Sequence, residues 1–429
     1  MFCYYNCAGF DNLCGHNCPG VSLEWSGLFS TAAMHGGVPF SGGYPVWTIY
    51  AWAFANLLPV GNFAWRVNLS SAVAAAAASG LIAITVSFGG GRLLDGSSGS
   101  RLLRPLHLKL IRGVCGYVAG AAFGLSGAVW GKAVVGEFWT LGALLFAGVL
   151  WLFTGWFFKP ASRWRLYCAF FLAGMLLTNN QELLVALPAL IAGVILADKK
   201  LGSGAALLVL PSAAVLTALH QWWLWIDFPG RPNWPVLAVF LGATGIGAFY
   251  AFKTRSASSE WKAGALCALA LAFGLASHLY IPLASMTTPP VNWGYSRSVE
   301  GFLHTIGRGQ FEAPNPAEEI GVLAQHLWWF LKLLSKDFGV IYLPFALLPI
   351  VLLRSVTPVG RRWLLALLAM FICVGVVMLA VVNPQPDTAD IKLLRQYFTG
   401  ANAVLACMCG VGLIQVALLV TRSKQDAIR

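Results

Sequence analysis

Three sets of side chains in this chain have the types and spacing to do chemistry beside a membrane. The first is a set of carboxylates: Glu24, Glu137 and Glu182. Glu137 follows a glycine and Glu182 follows Asn179-Asn180, each beside an apolar run. An acid at membrane depth is costly and is a functional candidate by default. Glu137 and Glu182 could equally be helix-start acids that complement the helix dipole. The second set is three arginines: Arg66 and Arg395, each near the end of an apolar run, and Arg308, in the polar segment 278–312. A guanidinium is a planar fork that binds oxyanions bidentately, so these positions suit phosphate recognition. Arg66 could instead snorkel its charge from the helix mouth to water. The third set is aromatic and polar: Tyr44, Tyr280, Trp293, His304 and Gln310.

These side chains are carried by three polar segments. Residues 23–68 hold Glu24, a hinge of Gly42, Gly43 and Pro45, the amphipathic stretch 44–59, and Arg66. That stretch is short for a span, and its Trp and Tyr residues suit headgroup depth. Asn62 is placed to cap the helix that follows it. Residues 278–312 contain Pro289-Pro290, which stops a helix, and Asn292-Trp293-Gly294, which reads as a turn. The sequence beyond them predicts a short surface helix bringing His304, Arg308 and Gln310 together. An interfacial helix with a positive end would look the same. Residues 317–336 then form an amphipathic stretch, acidic at its start and basic at its end, as the helix dipole prefers. The third segment, 383–398, holds Asp387, Asp390, Lys392, Arg395 and Gln396.

The rest of the chain must position these segments, and it does so from within lipid. Of 429 residues, 58% are hydrophobic and only 10% are charged, against about 25% charged in an ordinary soluble domain. The mean hydropathy is +0.72. Eleven apolar runs are predicted as membrane helices: 67–88, 110–130, 136–158, 165–180, 183–197, 203–224, 235–252, 263–283, 339–353, 363–382 and 401–421. They are continuous rather than alternating, which favours helices over a β-barrel. The runs at 183–197 and 339–353 are short for a crossing. The predicted fold class is therefore an all-α polytopic membrane protein of about 11 helices, with amphipathic helices in its outer loops.

The net charge of +12 is explained by topology. When the first long span runs inward and the others alternate, the inner loops carry 19 of the 28 Lys and Arg residues and 4 of the 16 acids. This is the positive-inside asymmetry, so no nucleic-acid partner is implied. The inner loops are short and basic, and the three polar segments fall outside. The expected domain organisation is an N-terminal segment, 1–20, and a membrane domain, 21–429, with outer loops 21–66 and 284–338.

Six of the ten cysteines lie in spans and suit small apolar packing. The other four, Cys3, Cys7, Cys14 and Cys18, cluster with His16. A zinc knob or two disulfides could be built from them, but the spacing fits zinc patterns poorly, and an unstructured segment is the simpler reading. No metal ligand is assigned in the membrane domain.

Taken together, these motifs resemble a large family of membrane proteins first catalogued as a domain of unknown function and placed among the GT-C glycosyltransferases. Its animal member is a protein O-mannosyltransferase. The matching letters of the first outer loop are Gly27, Gly37, Val38, Gly43, Tyr44, Pro45, Leu58, Pro59, Gly61, Asn62, Ala64, Trp65, Arg66 and Asn68. Residues 126–144, 178–188, 280–294 and 308–311 resemble later motifs of the family, in the right order. In register with Gly43, the family's two loop acids fall on Trp25 and Leu28, and Glu24 is the nearest carboxylate. The family's His-Pro-Pro falls on Phe40, Ser41 and Gly42, and its arginine after the Tyr-x-Pro motif falls on Ala284.

The resemblance implies a GT-C-like bundle that moves a sugar from a polyprenyl- or dolichyl-phosphate donor to a protein or envelope acceptor. It implies a carboxylate base, here Glu24 with Glu137 in reserve, and donor phosphate held by Arg66, Arg308 and Arg395. Tyr44, Tyr280, Trp293, His304 and Gln310 would line the groove. No further cofactor is implied, and the partners are membrane lipid, the lipid-linked sugar and a protein or glycan acceptor. The compact architecture points to a bacterial inner membrane, and the charge asymmetry puts the active face on the outer, periplasmic side. A relative that binds or transports lipid-linked sugars without transferring them is the alternative. Spans almost free of charge and without an internal repeat speak for a surface enzyme over a transporter.

Overall fold

The computed structural model describes residues 18–22, 25–93, 105–211, 260–309, 320–383 and 395–426, with 241–242, 244–245, 248–249 and 252. Among these every regular element is a helix, and the sole β-pairing is an isolated bridge between Val38 and Asn292. Five helices are long and apolar enough to cross a membrane: Phe63–Leu93, Trp139–Phe157, Trp261–Met286, Pro358–Val382 and Thr399–Thr421. The chain is thus a multi-pass membrane protein.

The other predicted runs take different forms. The run 110–130 becomes two helices, Pro105–Gly124 and Gly127–Ala133, bent by 66° at Leu125-Ser126. The run 165–180 is a 17-residue helix, Arg163–Asn179. Residues 183–197 form a 3-10 turn, Gln181–Val185, that continues into the helix Ala186–Ala197. The run 339–353 contains only the eight-residue helix Pro344–Val351. At about 1.5 Å per residue such a helix spans less than half of a bilayer core. Most of 203–224 and 235–252 lies outside the described residues.

Helices in lipid gain little from hydrophobic burial against one another, so close packing must bring them together. Small residues supply it. Gly116, Gly120 and Gly124 recur every fourth residue along Pro105–Gly124, and each lies on the backbone or side chain of Ser79, Ala83 or Ser87 on the Phe63–Leu93 helix. A Cβ at Gly116 would stand 2.5 Å from the Ala83 carbonyl. Gly174 and Gly274 likewise face each other where Arg163–Asn179 crosses Trp261–Leu275, with a Cβ on Gly174 placed 2.9 Å from the Gly274 Cα. Trp363 is fully buried, and its indole N–H donates to Thr154 Oγ1 at 3.1 Å.

The Phe63–Leu93 helix is the axis of the bundle. Asn62 caps its start, as its sequence position predicts, by accepting from the Trp65 N–H at 2.8 Å. The same amide donates to the Pro19 carbonyl at 2.7 Å, and Asn68 donates to Cys18 and Gly20. Residues 18–20 are therefore docked at this helix mouth, while Cys3, Cys7, Cys14 and His16 lie outside the described residues. At the far end, Arg112 donates to the Gly91 carbonyl and Leu93 accepts from Thr357. The amphipathic stretch 44–59 forms the helix Pro45–Leu57, which buries Trp47, Thr48, Ala51 and Ala55 and leaves Ile49 and Trp52 exposed. The stretch 317–336 is represented by Ile320–Phe338, which buries Phe330 and Leu334 and exposes Trp328 and Leu331.

Candidate functional site

Three segments far apart in sequence meet at the Phe63 end of the bundle. The helix Ser26–His35 ends on Gly36 in the left-handed region, which a glycine adopts without steric cost. The Gly36 carbonyl accepts from the Tyr280 hydroxyl at 2.6 Å. Val38 then pairs with the Asn292 turn: its N–H donates to Val291 and its carbonyl accepts from Trp293, both at 3.0 Å. Phe40 is held between Trp25 and Trp293, with ring centroids 4.6 and 4.8 Å away. The Gly42 N–H donates to the Thr305 carbonyl at 2.8 Å, which ties this loop to the helix Val299–Ile306.

The hinge aims Tyr44. Gly42, Gly43 and Tyr44 all have positive φ, at 94°, 73° and 43°. Such a run turns the chain sharply into Pro45, which starts the next helix with its φ already set. Tyr44 lies stacked on Phe138, with centroids 3.9 Å apart. A Cβ on Gly42 would touch both the Tyr44 ring, at 3.6 Å, and Arg308 Nε, at 3.7 Å. Both are ordinary van der Waals distances, so it is the positive φ rather than crowding that suits position 42 to glycine.

A carboxylate faces this arginine from the opposite side. Asn179 donates to the Phe138 carbonyl at 3.1 Å and to Asn180 Oδ1 at 2.8 Å. Asn180 in turn donates to Glu182 Oε1 at 2.7 Å. Glu182 Oε2 lies 3.6 Å from Arg308 Nη2, an ion pair too long to count as a hydrogen bond. Gln181 donates to the Ile306 carbonyl at 2.9 Å, which locks the two segments side by side. Tyr397 completes the cluster beside the guanidinium, edge-on to Trp139 at 5.1 Å. A cavity of about 10 Å³, room for one water, lies among Trp139, Asn180, Glu182, Gln396 and Tyr397.

The electrostatics follow from this arrangement. Burial works against the Arg308 charge, but the Glu182 carboxylate and a hydrogen bond with Tyr397 favour the charged form, and the guanidinium stays protonated. Burial pushes the Tyr44 hydroxyl up, with Arg308 opposing, and does the same to Tyr397. Both phenols therefore stay neutral at physiological pH and can donate to an anion held by Arg308.

Of the three arginines expected to hold phosphate, the structure brings Arg308 alone to this cluster. Arg66 gives its donors to the carbonyls of Val60, Ala55 and Gly61 at 2.9, 2.9 and 3.0 Å, and so fastens the end of Pro45–Leu57 to the next helix. Arg395 is paired with buried Asp337, through Nε at 2.7 Å and through Nη2, while Asn402 donates to the other carboxylate oxygen at 3.1 Å. Glu137 is buried and paired with Lys132 at 2.9 Å, and its backbone exchanges hydrogen bonds with Ser71. His304 sits on Val299–Ile306 against Gly309, and Trp293 and Tyr280 join the loops. Glu24 and Gln310 lie outside the described residues.

Tyr397 is the residue the sequence pattern misses. Its neighbours Arg395 and Gln396 draw attention, but a tyrosine at a helix mouth has no signal of its own. Glu182 is visible as an acid at a helix end, yet only its pairing across 126 positions with Arg308 sets it apart from Glu137.

No curated protein and no solved structure matches the chain. Residues 26–203 match the family described as the Protein O-mannosyl-transferase TMEM260 N-terminal domain, a stretch that holds the hinge, Glu137 and Glu182 but ends before Arg308. Over that stretch, less than half of the chain, the sequence is similar to a family named for a protein O-mannosyl-transferase.

Proposed function

We propose that this protein is an integral-membrane glycosyltransferase of GT-C-like architecture. It moves a sugar, mannose by analogy with the matched family, from a polyprenyl- or dolichyl-phosphate donor to a hydroxyl of a protein or envelope acceptor. The membrane is a bacterial inner membrane and the active face is the periplasmic one. The observation that carries this reading is the convergence of the matched first loop on a protonated arginine, Arg308, ringed by Tyr44, Tyr397 and Trp139. The outer assignment is supported by the Phe63–Leu93 helix, which has the cluster at one mouth and Arg92 at the other.

In this reading the acceptor oxygen attacks the anomeric carbon from the face opposite the phosphate. The new C–O bond forms as the bond from carbon to phosphate oxygen breaks, and the phosphate leaves with the electron pair. A carboxylate takes the acceptor proton, a general-base contribution of about 10²–10⁴-fold. Glu24 is assigned that role, because it belongs to the first loop that the hinge carries. Arg308 stabilises the charge growing on the leaving phosphate, with Tyr44 and Tyr397 as neutral donors.

The test is sugar transfer from a lipid-linked mannose donor by the full chain in reconstituted vesicles. Glu24→Gln is expected to abolish transfer while leaving the thermal unfolding profile unchanged. Undiminished transfer by that variant would remove Glu24 from the mechanism. A wild-type chain that binds the donor and never transfers would instead be a lipid-linked-sugar binding protein.

A further inference from the structure

We infer that Glu182 is a built-in counter-ion of Arg308 which an anionic ligand must displace, so that phosphate binding at this site is an exchange of partners rather than a simple addition. The inference rests on the reading of Arg308 as a phosphate holder and specifies how that site is regulated.

Four observations support it. The Glu182–Arg308 contact is an ion pair without hydrogen-bond geometry, at 3.6 Å. Both partners keep unused capacity: Arg308 Nε and Glu182 Oε2 are buried and have no hydrogen-bond partner among the described residues. The Glu182 side chain is 8% exposed and that of Arg308 is 27% exposed, so the arginine is the partner open to a ligand. Finally, the carboxylate is held from behind by Asn180 at 2.7 Å, and Asn180 by Asn179, so Glu182 stays anchored when its outer oxygen loses Arg308.

The chemistry follows from charge. A guanidinium offers five N–H donors in a fork, and a phosphate takes two of them side by side, which a carboxylate at 3.6 Å does not. A phosphate group is therefore the better partner, both as the singly charged diester of the donor and as the monoester left after transfer, whereas a weakly held or neutral ligand leaves the Glu182 pair intact. The backbone supports the exchange on the arginine side. Arg308 has φ of 53°, and Gly307 and Gly309 flank it, so the residue is carried on a short turn just after Val299–Ile306. On the acid side, the 3-10 turn Gln181–Val185 keeps Glu182 in place. The carboxylate then acts as a filter: it excludes anions that cannot outcompete it and neutralises the arginine until the donor arrives.

Binding of polyprenyl monophosphate, with neutral polyprenol as control, to the full chain in nanodiscs tests this. Glu182→Gln removes the competing charge and keeps the amide contact to Asn180. It is expected to tighten polyprenyl monophosphate binding by at least about sevenfold, the value of a unit charge pair at 3.6 Å in bulk water. Polyprenol binding should not change, and Glu182→Asp, which keeps the charge on a shorter stem, should fall between. Arg308→Gln should lose the phosphate preference altogether. If Glu182→Gln binds polyprenyl monophosphate no better than wild type while Arg308→Gln still abolishes binding, the exchange is wrong and the phosphate reading stands. If Arg308→Gln binds as well as wild type, the phosphate reading fails and takes the exchange with it. A thermal unfolding scan of each variant separates lost binding from lost fold.

Discussion

Replacing Gly43 with alanine tests whether the hinge is what positions the cluster. Gly43 has φ of 73°, where an L-residue with a Cβ is strained by about 1–2 kcal/mol relative to glycine. The added Cβ would also lie 2.8 Å from Ile281 Cγ1 and closer still to Cδ1. Ile281 is fully buried, so its flexible end has nowhere to turn, and relief must come from a shift of the loop or of the Tyr280–Met286 segment. Overpacking of this kind costs typically about 1–3 kcal/mol. A stiffer unfolded chain returns about 0.4–1 kcal/mol. The net expectation is about 1–5 kcal/mol of destabilisation, with a larger loss of transfer because Tyr44 follows directly. Thermal unfolding in detergent, followed by tryptophan fluorescence, measures the first quantity. Ile281→Val alone should cost about 0.5–1.5 kcal/mol, but combined with Gly43→Ala it removes Cδ1 and should recover part of the loss. A Gly43→Ala protein within about 0.5 kcal/mol of wild type, or a strictly additive double variant, would refute the hinge argument.

Two further outcomes are expected. Arg395→Met leaves Asp337 buried with Asn402 as its remaining hydrogen-bond donor and should cost about 3 kcal/mol, whereas Asp337→Asn leaves an arginine that can reach solvent and should cost about 1 kcal/mol. A double-mutant cycle by thermal unfolding should show coupling of at least about 1 kcal/mol, and additivity would show the pair to be idle. Stability should fall as pH rises past about 10, because burial raises the folded-state Tyr44 hydroxyl above its unfolded value, and the neutral phenol it favours is lost first from the unfolded chain. Tyr50, which burial pushes up to about 12, adds to the same window, so Tyr44→Phe should flatten the decline between pH 10 and 12 without removing it; an unchanged slope would place Tyr44 in water.

The amino-acid sequence by itself determined the class of this protein. Apolar runs of this length admit no other solvent than lipid, and backbone hydrogen bonding in lipid forces them into helices. Local signals were equally readable: Asn62 caps the helix it precedes, and the Gly42-Gly43-Pro45 hinge turns the chain where its letters require. These features depend on residues within a turn or two of each other. What only the tertiary structure decided is the partner of each charge. Arg66, Arg308 and Arg395 look alike in sequence, yet one fastens carbonyls, one faces Glu182 and one holds Asp337. Their partners lie between 5 and 126 positions away, and no local periodicity reports distances of that kind. The shortness of the run 339–353 was readable, but the break at Leu125-Ser126 was hidden for the same reason: hydropathy registers that a run prefers lipid, while its path depends on what packs beside it.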